Sequence, residues 1–162
     1  MAIFSISNVK ISGVAACVPK RRVSNNDYAL LSDKEREMLI KTTGIEEKRV
    51  VENGVATSDL CQEAAEKLIE ELQWDKEEIE LLIFVSQSRD YILPATAIIL
   101  QDKLGLPKTT IAFDVSLGCS GYVYGLSVIA SMMSNTHVKK ALLLVGDVSS
   151  LSPNKKDKST FP

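Results

Sequence analysis

Two kinds of hydrophobic pattern alternate along the chain. Glu80 to Ser86, Thr110 to Val115 and Ala141 to Gly146 are short, nearly unbroken apolar runs. Such runs predict strands covered on both faces, as in a parallel sheet. Between them apolar residues recur at helical spacing. From Thr57 to about Leu72 the set Leu60, Cys61, Ala64, Ala65, Leu68, Ile69, Leu72 steps along one face, with Glu63, Glu66, Lys67, Glu70 and Glu71 opposite. This predicts an amphipathic helix capped by Thr57 or Ser58, with Cys61 in its packing stripe. A further helix is predicted to open with Pro94 at its first position, carry Ile98, Ile99, Leu100 and Leu104, and close at Gly105. Strands alternating with helices imply right-handed crossovers and a mostly parallel sheet.

The N-terminal third is less regular. Val9 to Val18 reads as a strand stopped by Pro19, and Lys20 to Asn25 as a loop. Asn25 or Asn26 is placed to cap a short helix containing Tyr28, Leu30 and Leu31. Ser32 or Asp33 caps a second, with Met38, Leu39 and Ile40 near its end and Gly44 as its stop. Lys48 to Val51 reads as a short edge strand. Arg21, Arg22, Arg36, Lys41, Lys48 and Arg49 make this part the most basic, suited to a phosphate or to plain solvation. Trp74 follows a helix end, where packing there or stacking on an adenine are both open. Ser152 to Lys158 reads as loop.

One segment breaks the amphipathic rule. After the run ending at Val115, a turn leads to Cys119, where a helix to about Ser134 is expected to begin. Tyr122, Val123, Tyr124, Leu126, Val128, Ile129, Met132 and Met133 leave it no charged side. A helix apolar all round must be covered all round. Gly121 and Gly125 each cost about 1 kcal/mol against alanine in a helix interior, which implies another element approaching closely. A cysteine at a helix start meets unpaired N–H groups and the positive end of the helix dipole, which favour a nucleophilic thiolate. Most free cysteines are instead small buried hydrophobes, and local geometry alone favours that reading for Cys119.

Composition narrows the choices. At 162 residues, 45% hydrophobic and 25% charged, the chain suits a single soluble domain. A net charge of −2 without a basic cluster argues against nucleic acid. Cys17, Cys61 and Cys119 are too few and too spread for a disulfide framework, and one histidine with no CxxC pair leaves a zinc site short of ligands. The uncharged stretch Val115 to Val138 is long enough to span a bilayer, but its serines and glycines favour a buried soluble helix over membrane insertion. With no signal-like N-terminus, a cytoplasmic location is expected.

The motif Phe113-Asp114-Val115-x-x-Gly118-Cys119-Ser120-Gly121-Tyr122-x-Tyr124 resembles the active-site segment of the β-ketoacyl-acyl-carrier-protein synthase III family. The resemblance continues in Thr43-Gly44-Ile45 with Glu47-Lys48-Arg49, in Thr57-Ser58 with Ala64-Ala65, in Pro94-Ala95-x-Ala97 with Leu100-Gln101-x-x-Leu104-Gly105, and in Leu142 to Asp147 followed by Asp157-Lys158-Ser159-Thr160. It implies an α/β fold: the N-terminal half of a thiolase-like fold, with a mostly parallel mixed sheet and a buried central helix starting at the nucleophile. Residues 1–162 are then one half-domain, with the C-terminal half absent from this chain.

The chemistry the resemblance implies is acyl transfer through Cys119, followed by condensation with a malonyl thioester. No cofactor is implied; acyl-CoA or acyl carrier protein thioesters are the substrates, acyl carrier protein a partner and a homodimer the assembly. The family's catalytic histidine and asparagine belong to the second half, and His137 reads as a surface residue, so the chain as given is expected to lack condensing activity. Leu93 matches a position that lines the partner's acyl pocket, or it packs locally. Met38 and Thr42 stand where CoA-using members carry tryptophan and arginine, which weakens a CoA nucleotide site. Two other readings stay open: acyl transfer to oxygen or nitrogen acceptors without condensation, and a non-catalytic half-domain that assembles with a separate second half.

Overall fold

The computed structural model describes residues 5–151 and 156–160. The expected loop over residues 152–155 lies outside the described residues. The chain forms two compact units, one built from the described residues through Cys17 with Ala56–Asp147, the other from Val18–Val55 with the described residues from Val148 on.

In the first unit, β3 (Ile79–Val85), β4 (Ile111–Val115) and β5 (Lys140–Val145) form a three-stranded parallel sheet in the order β4-β3-β5. The strands β1 (Arg22–Ser24) and β2 (Glu47–Arg49) belong to the second unit. The central strand β3 is the apolar run that the sequence marks as covered on both faces, and Leu81 to Phe84 are fully buried. Its side chains divide by the two-residue pleat. Leu82 and Phe84 pack with Cys61, Ala65 and Ile69 of α2 (Thr57–Glu71), with Ala97 and Leu100 of α3 (Thr96–Lys103) and with Leu104 at its end. Leu81, Ile83 and Val85 pack with Val128, Ile129, Met132 and Met133 of α4 (Gly121–Ser134). The result is three layers, with α2 and α3 on one face and α4 on the other. Trp74 packs against the α2–α3 side, with the Lys140 ammonium 5.3 Å from its ring centroid.

Helix α4 meets the sheet along Gly121 and Gly125. A Cβ on Gly121 would come 2.7 Å from Val85 Cγ1, and one on Gly125 would come 2.9 Å from Leu143 Cδ1. The sheet is therefore the close neighbour that the two glycines imply. Among the described residues nothing covers the opposite face of α4, with Val123 64% and Tyr124 59% exposed.

Several boundaries differ from the sequence reading. Val9 to Val18 joins no sheet ladder. A cavity of about 850 Å3 is lined by this segment (Val9, Gly13), by α2 (Leu68), by α4 (Leu126, Met133) and by β5 (Leu143). Strands pair only at about 4.8 Å, and among the described residues β5 pairs with β3 alone. Pro94 lies outside α3, whose cap residue is Ala95, and the Leu93–Pro94 bond is cis. Thr57 and Ser58 do not cap α2 but sit inside its first turn, buried; Ala56 is the cap residue, and its N–H donates to Asp59 Oδ2 at 2.9 Å.

In the second unit, β1 (Arg22–Ser24) pairs antiparallel with β2 (Glu47–Arg49), so the expected loop at Arg22 to Ser24 is a short strand. The expected helix at Tyr28 is a single 3-10 turn, Asn25–Asp27, with Ser24 as its cap. Buried Asn25 ties the turn down, its Nδ2 donating to Ile45 O at 2.8 Å. Helix α1 (Asp33–Thr43) starts at Ser32, whose N–H and hydroxyl both donate to Glu35 Oε2, at 2.9 and 2.8 Å. It ends at Gly44, whose φ of 70° is the left-handed geometry that glycine adopts without strain.

Candidate active site

The three parallel strands end on one edge, and the candidate chemistry gathers there, in the loops that follow β3, β4 and β5. Cys119 lies in the turn between β4 and α4, two residues before the helix begins, and its residue is exposed. The helix therefore starts later than the sequence suggests. Gly118 and Gly121 close the turn, with Gly121 N–H donating to Gly118 O at 2.7 Å. Ser120 is the cap residue, and its side chain makes no cap hydrogen bond. The following N–H groups of the first turn have no acceptor within the helix. An exposed thiol thus stands next to a helix start that points backbone donors outward.

The loop after β3 is held by Asp147, which follows β5. Its Oδ1 accepts the Gln87 N–H at 2.7 Å, the Ser88 N–H at 3.0 Å, and the Ser86 and Ser88 hydroxyls at 2.9 and 3.1 Å. Burial works against ionisation of Asp147, but the Gln87 N–H, the Ser86 hydroxyl and the Ser88 donors outweigh it and hold the carboxyl below its ordinary range. From α2, Thr57 Oγ1 lies 2.7 Å from Ser88 Oγ, and the Ser58 hydroxyl donates to Asp90 Oδ2 at 2.5 Å. The two residues expected to cap α2 instead brace this loop. Nothing in a linear pattern pairs Asp147 with residues 86–88; the available signal is that a serine-rich turn and an aspartate both directly follow apolar strands.

Asp114 of β4 reaches the start of α3, its two carboxylate oxygens accepting the Thr96 and Ala97 N–H groups at 2.8 and 2.7 Å. Leu93, two residues before the Ala95 cap, is 83% exposed, beside equally bare Ile92. Met38 and Thr42 lie four residues apart on α1 and are exposed. Neither lines the cavity of about 480 Å3 that Arg36, Ile40 and Lys41 border in that unit. Arg22, Arg36 and Arg49 are committed locally, to Glu47, to Asp33 with Tyr28 O, and to the carbonyls of Pro19 and Lys20. His137 is exposed beyond the far end of α4, a helix of 14 residues or about 21 Å. It does not approach Cys119. Among the described residues no group of histidine, cysteine and carboxylate side chains is placed to hold a metal ion. Among them also, no helix is long and apolar enough to cross a membrane.

A parallel sheet backed by two helices on one face, with a glycine-fitted helix on the other that follows a turn bearing an exposed cysteine, defines the N-terminal half of a thiolase-like condensing-enzyme fold. The family profile described as 3-Oxoacyl-[acyl-carrier-protein (ACP)] synthase III matches residues 113–162. A β-ketoacyl-[acyl-carrier-protein] synthase III of Syntrophomonas wolfei is 34% identical over 152 residues, 94% of this chain and 46% of that protein. The corresponding protein of Aliarcobacter butzleri is 40% identical over 134 residues, 82% of this chain and 40% of that one. The crystal structure of a 3-oxoacyl-(acyl-carrier protein) synthase from Burkholderia xenovorans superposes with a TM-score of 0.86 at 36% identity, covering 91% of this chain and 43% of that one. The chain belongs to the β-ketoacyl-acyl-carrier-protein synthase III family. It spans about half the length of the curated relatives it matches.

Proposed function

We propose that this chain carries the acyl-accepting half of a thioester-dependent acyltransferase of the synthase III type, with Cys119 as nucleophile. The observation that carries the reading is the exposed thiol in the turn between β4 and α4, at the strand-end edge of the sheet, in a member of this family. The Cys119 sulfur attacks the carbonyl carbon of an acyl thioester, and the carbonyl oxygen takes up negative charge as the tetrahedral adduct forms. N–H groups at the start of α4 stabilise that charge. The adduct collapses with cleavage of the original carbon–sulfur bond. The carrier thiol leaves with a proton, and the acyl group stays as a thioester of Cys119.

Condensation follows when a malonyl thioester loses carbon dioxide and its carbanion attacks the acyl-cysteine carbonyl. The Cys119 thiolate is released and a 3-oxoacyl thioester forms. His137, remote from Cys119, is not placed to promote the decarboxylation, which in this reading falls to the family's second half. Acyl carrier protein is the favoured carrier, because exposed Met38 and uncharged Thr42 offer a CoA nucleotide neither an aromatic face nor a cation. The bare Ile92 and Leu93 fit an assembly in which this loop enters a second subunit.

The test supplies acyl carrier protein thioesters with malonyl carrier protein, and follows protein mass and carbon dioxide together. The 162-residue chain is expected to gain one acyl group and release no carbon dioxide. Acyl transfer to an added oxygen or nitrogen acceptor would instead favour a simple transferase, and a chain that takes no acyl group would contradict the proposal.

A further inference from the structure

The loop that Asp147 holds brings one more side chain to the nucleophile. Gln87 spends its backbone N–H on Asp147, which fixes its position without using the side chain. The side chain lies against Gly118. A Cβ at Gly118 would come 2.5 Å from Gln87 Oε1, 3.0 Å from Cδ and 3.5 Å from Nε2. A side chain at 118 would displace the amide from this position. Gly118 directly precedes Cys119, and consecutive Cα atoms are about 3.8 Å apart. Among the described residues the Gln87 carboxamide has no hydrogen-bond partner, and the residue is exposed.

Packing does not account for this arrangement, because an apolar side chain of similar size would fill the space over Gly118 equally well. A carboxamide adds two N–H donors and one acceptor without a charge. These suit a polar, uncharged group. An acyl thioester presented to Cys119 brings one such group to this place, the carbonyl oxygen next to the attacked carbon.

We propose that Gln87 is a substrate-binding residue of this site, its amide donating a hydrogen bond to the thioester carbonyl oxygen that Cys119 makes negative; the inference rests on the nucleophile reading of Cys119. The bond strengthens as charge develops on that oxygen, so it favours the transition state over the bound substrate. Rotation of the amide about its last torsion brings either end to face the substrate. No proton is transferred and the amide is unchanged at the end of the step.

Wild type, Q87L and Q87M are compared in two reactions: acylation by an acyl carrier protein thioester, read as protein mass against time, and alkylation by iodoacetamide. Iodoacetamide reports thiol reactivity and has no thioester carbonyl. Thermal melting checks that each variant is folded, and Q87M keeps the unbranched shape if Q87L does not fold. Loss of an oxyanion donor at an exposed site should slow acylation about tenfold, with the alkylation rate unchanged within about twofold. Acylation of both folded variants at the wild-type rate overturns the inference alone. A parallel fall in alkylation also overturns it, since Gln87 would then act on the thiol. A wild type that takes no acyl group overturns the reading of Cys119, and this inference with it.

Discussion

Asp114 Oδ1 accepts the backbone N–H of Ala97 at 2.7 Å, so a strand five residues before Cys119 caps the helix that follows the exposed Ile92–Leu93 loop. The second oxygen takes the neighbouring Thr96 N–H. A carboxylate at a helix start satisfies two otherwise orphaned donors and complements the dipole. It also ties the position of β4, and so of the Cys119 turn, to the start of α3.

Asp114→Ala should lower unfolding free energy by about 0.5–2 kcal/mol, the usual range for losing a helix N-cap. Asp114→Asn, which keeps one acceptor, should lose less. Urea unfolding of the three proteins measures both. Equal stability of wild type and Asp114→Ala would show that the cap contributes nothing.

Gly125→Ala should destabilise, although alanine is the better helix former by about 1 kcal/mol. The added methyl would meet Leu143 Cδ1 at 2.9 Å and Val85 Cγ2 at 3.0 Å, both from the sheet. Overpacking of this kind costs about 1–3 kcal/mol, which outweighs the propensity gain. A raised melting temperature would mean that α4 can lift from the sheet without loss.

The cysteines should separate by reactivity. Burial, with smaller contributions from Asp90, Cys17 and Asp147, pushes the Cys61 thiol up to about 11, while Cys119 is exposed. Brief iodoacetamide treatment at pH 7.5 followed by peptide mass mapping should find Cys119 modified and Cys61 intact. Unfolding in urea should then expose Cys61.

Acid stability should follow Asp59 and Asp147. Asp59 is held below its ordinary value by the Ala56 N–H, against the pull of burial, with help from the Lys103 ammonium at 3.0 Å. Asp147 is held down by the donors of residues 86–88 against its burial. For a carboxyl depressed in the folded state, the stabilisation is complete above the unfolded value near pH 4 and is lost as pH falls through the lower folded value. Melting temperatures should therefore fall below about pH 4, and Asp147→Asn should flatten part of that fall. An identical pH profile for Asp147→Asn would remove Asp147 from the account.

The layered core was legible because its signals are periodic and local. The apolar runs at β3, β4 and β5 and the stripe of α2 read directly as strands and an amphipathic helix, but only β3 is buried as the runs imply; β4 has no buried residue and β5 is covered in part. The stop at Gly44 read correctly for the same reason, and of the two caps offered, Ser32 and Asp33, the structure uses Ser32. The misreadings fall where a distant partner decides. Pro94 looks like a helix opener, but Asp114 caps α3 from another strand. Thr57 and Ser58 look like caps, but their hydroxyls face the loop after β3. Val9 to Val18 has strand composition without a strand beside it. At the site, Cys119 stands out in the sequence through its motif, whereas Gln87 is one polar residue in a polar loop. Only the fold brings it onto Gly118.

The most direct test of the account is the mass of the Cys119 peptide after incubation with an acyl carrier protein thioester. The account predicts one acyl group on that peptide, removed by hydroxylamine, blocked by prior iodoacetamide and absent from Cys119→Ala. Acylation of Cys119→Ala at the wild-type level, or an unmodified Cys119 peptide in the wild type, would contradict it.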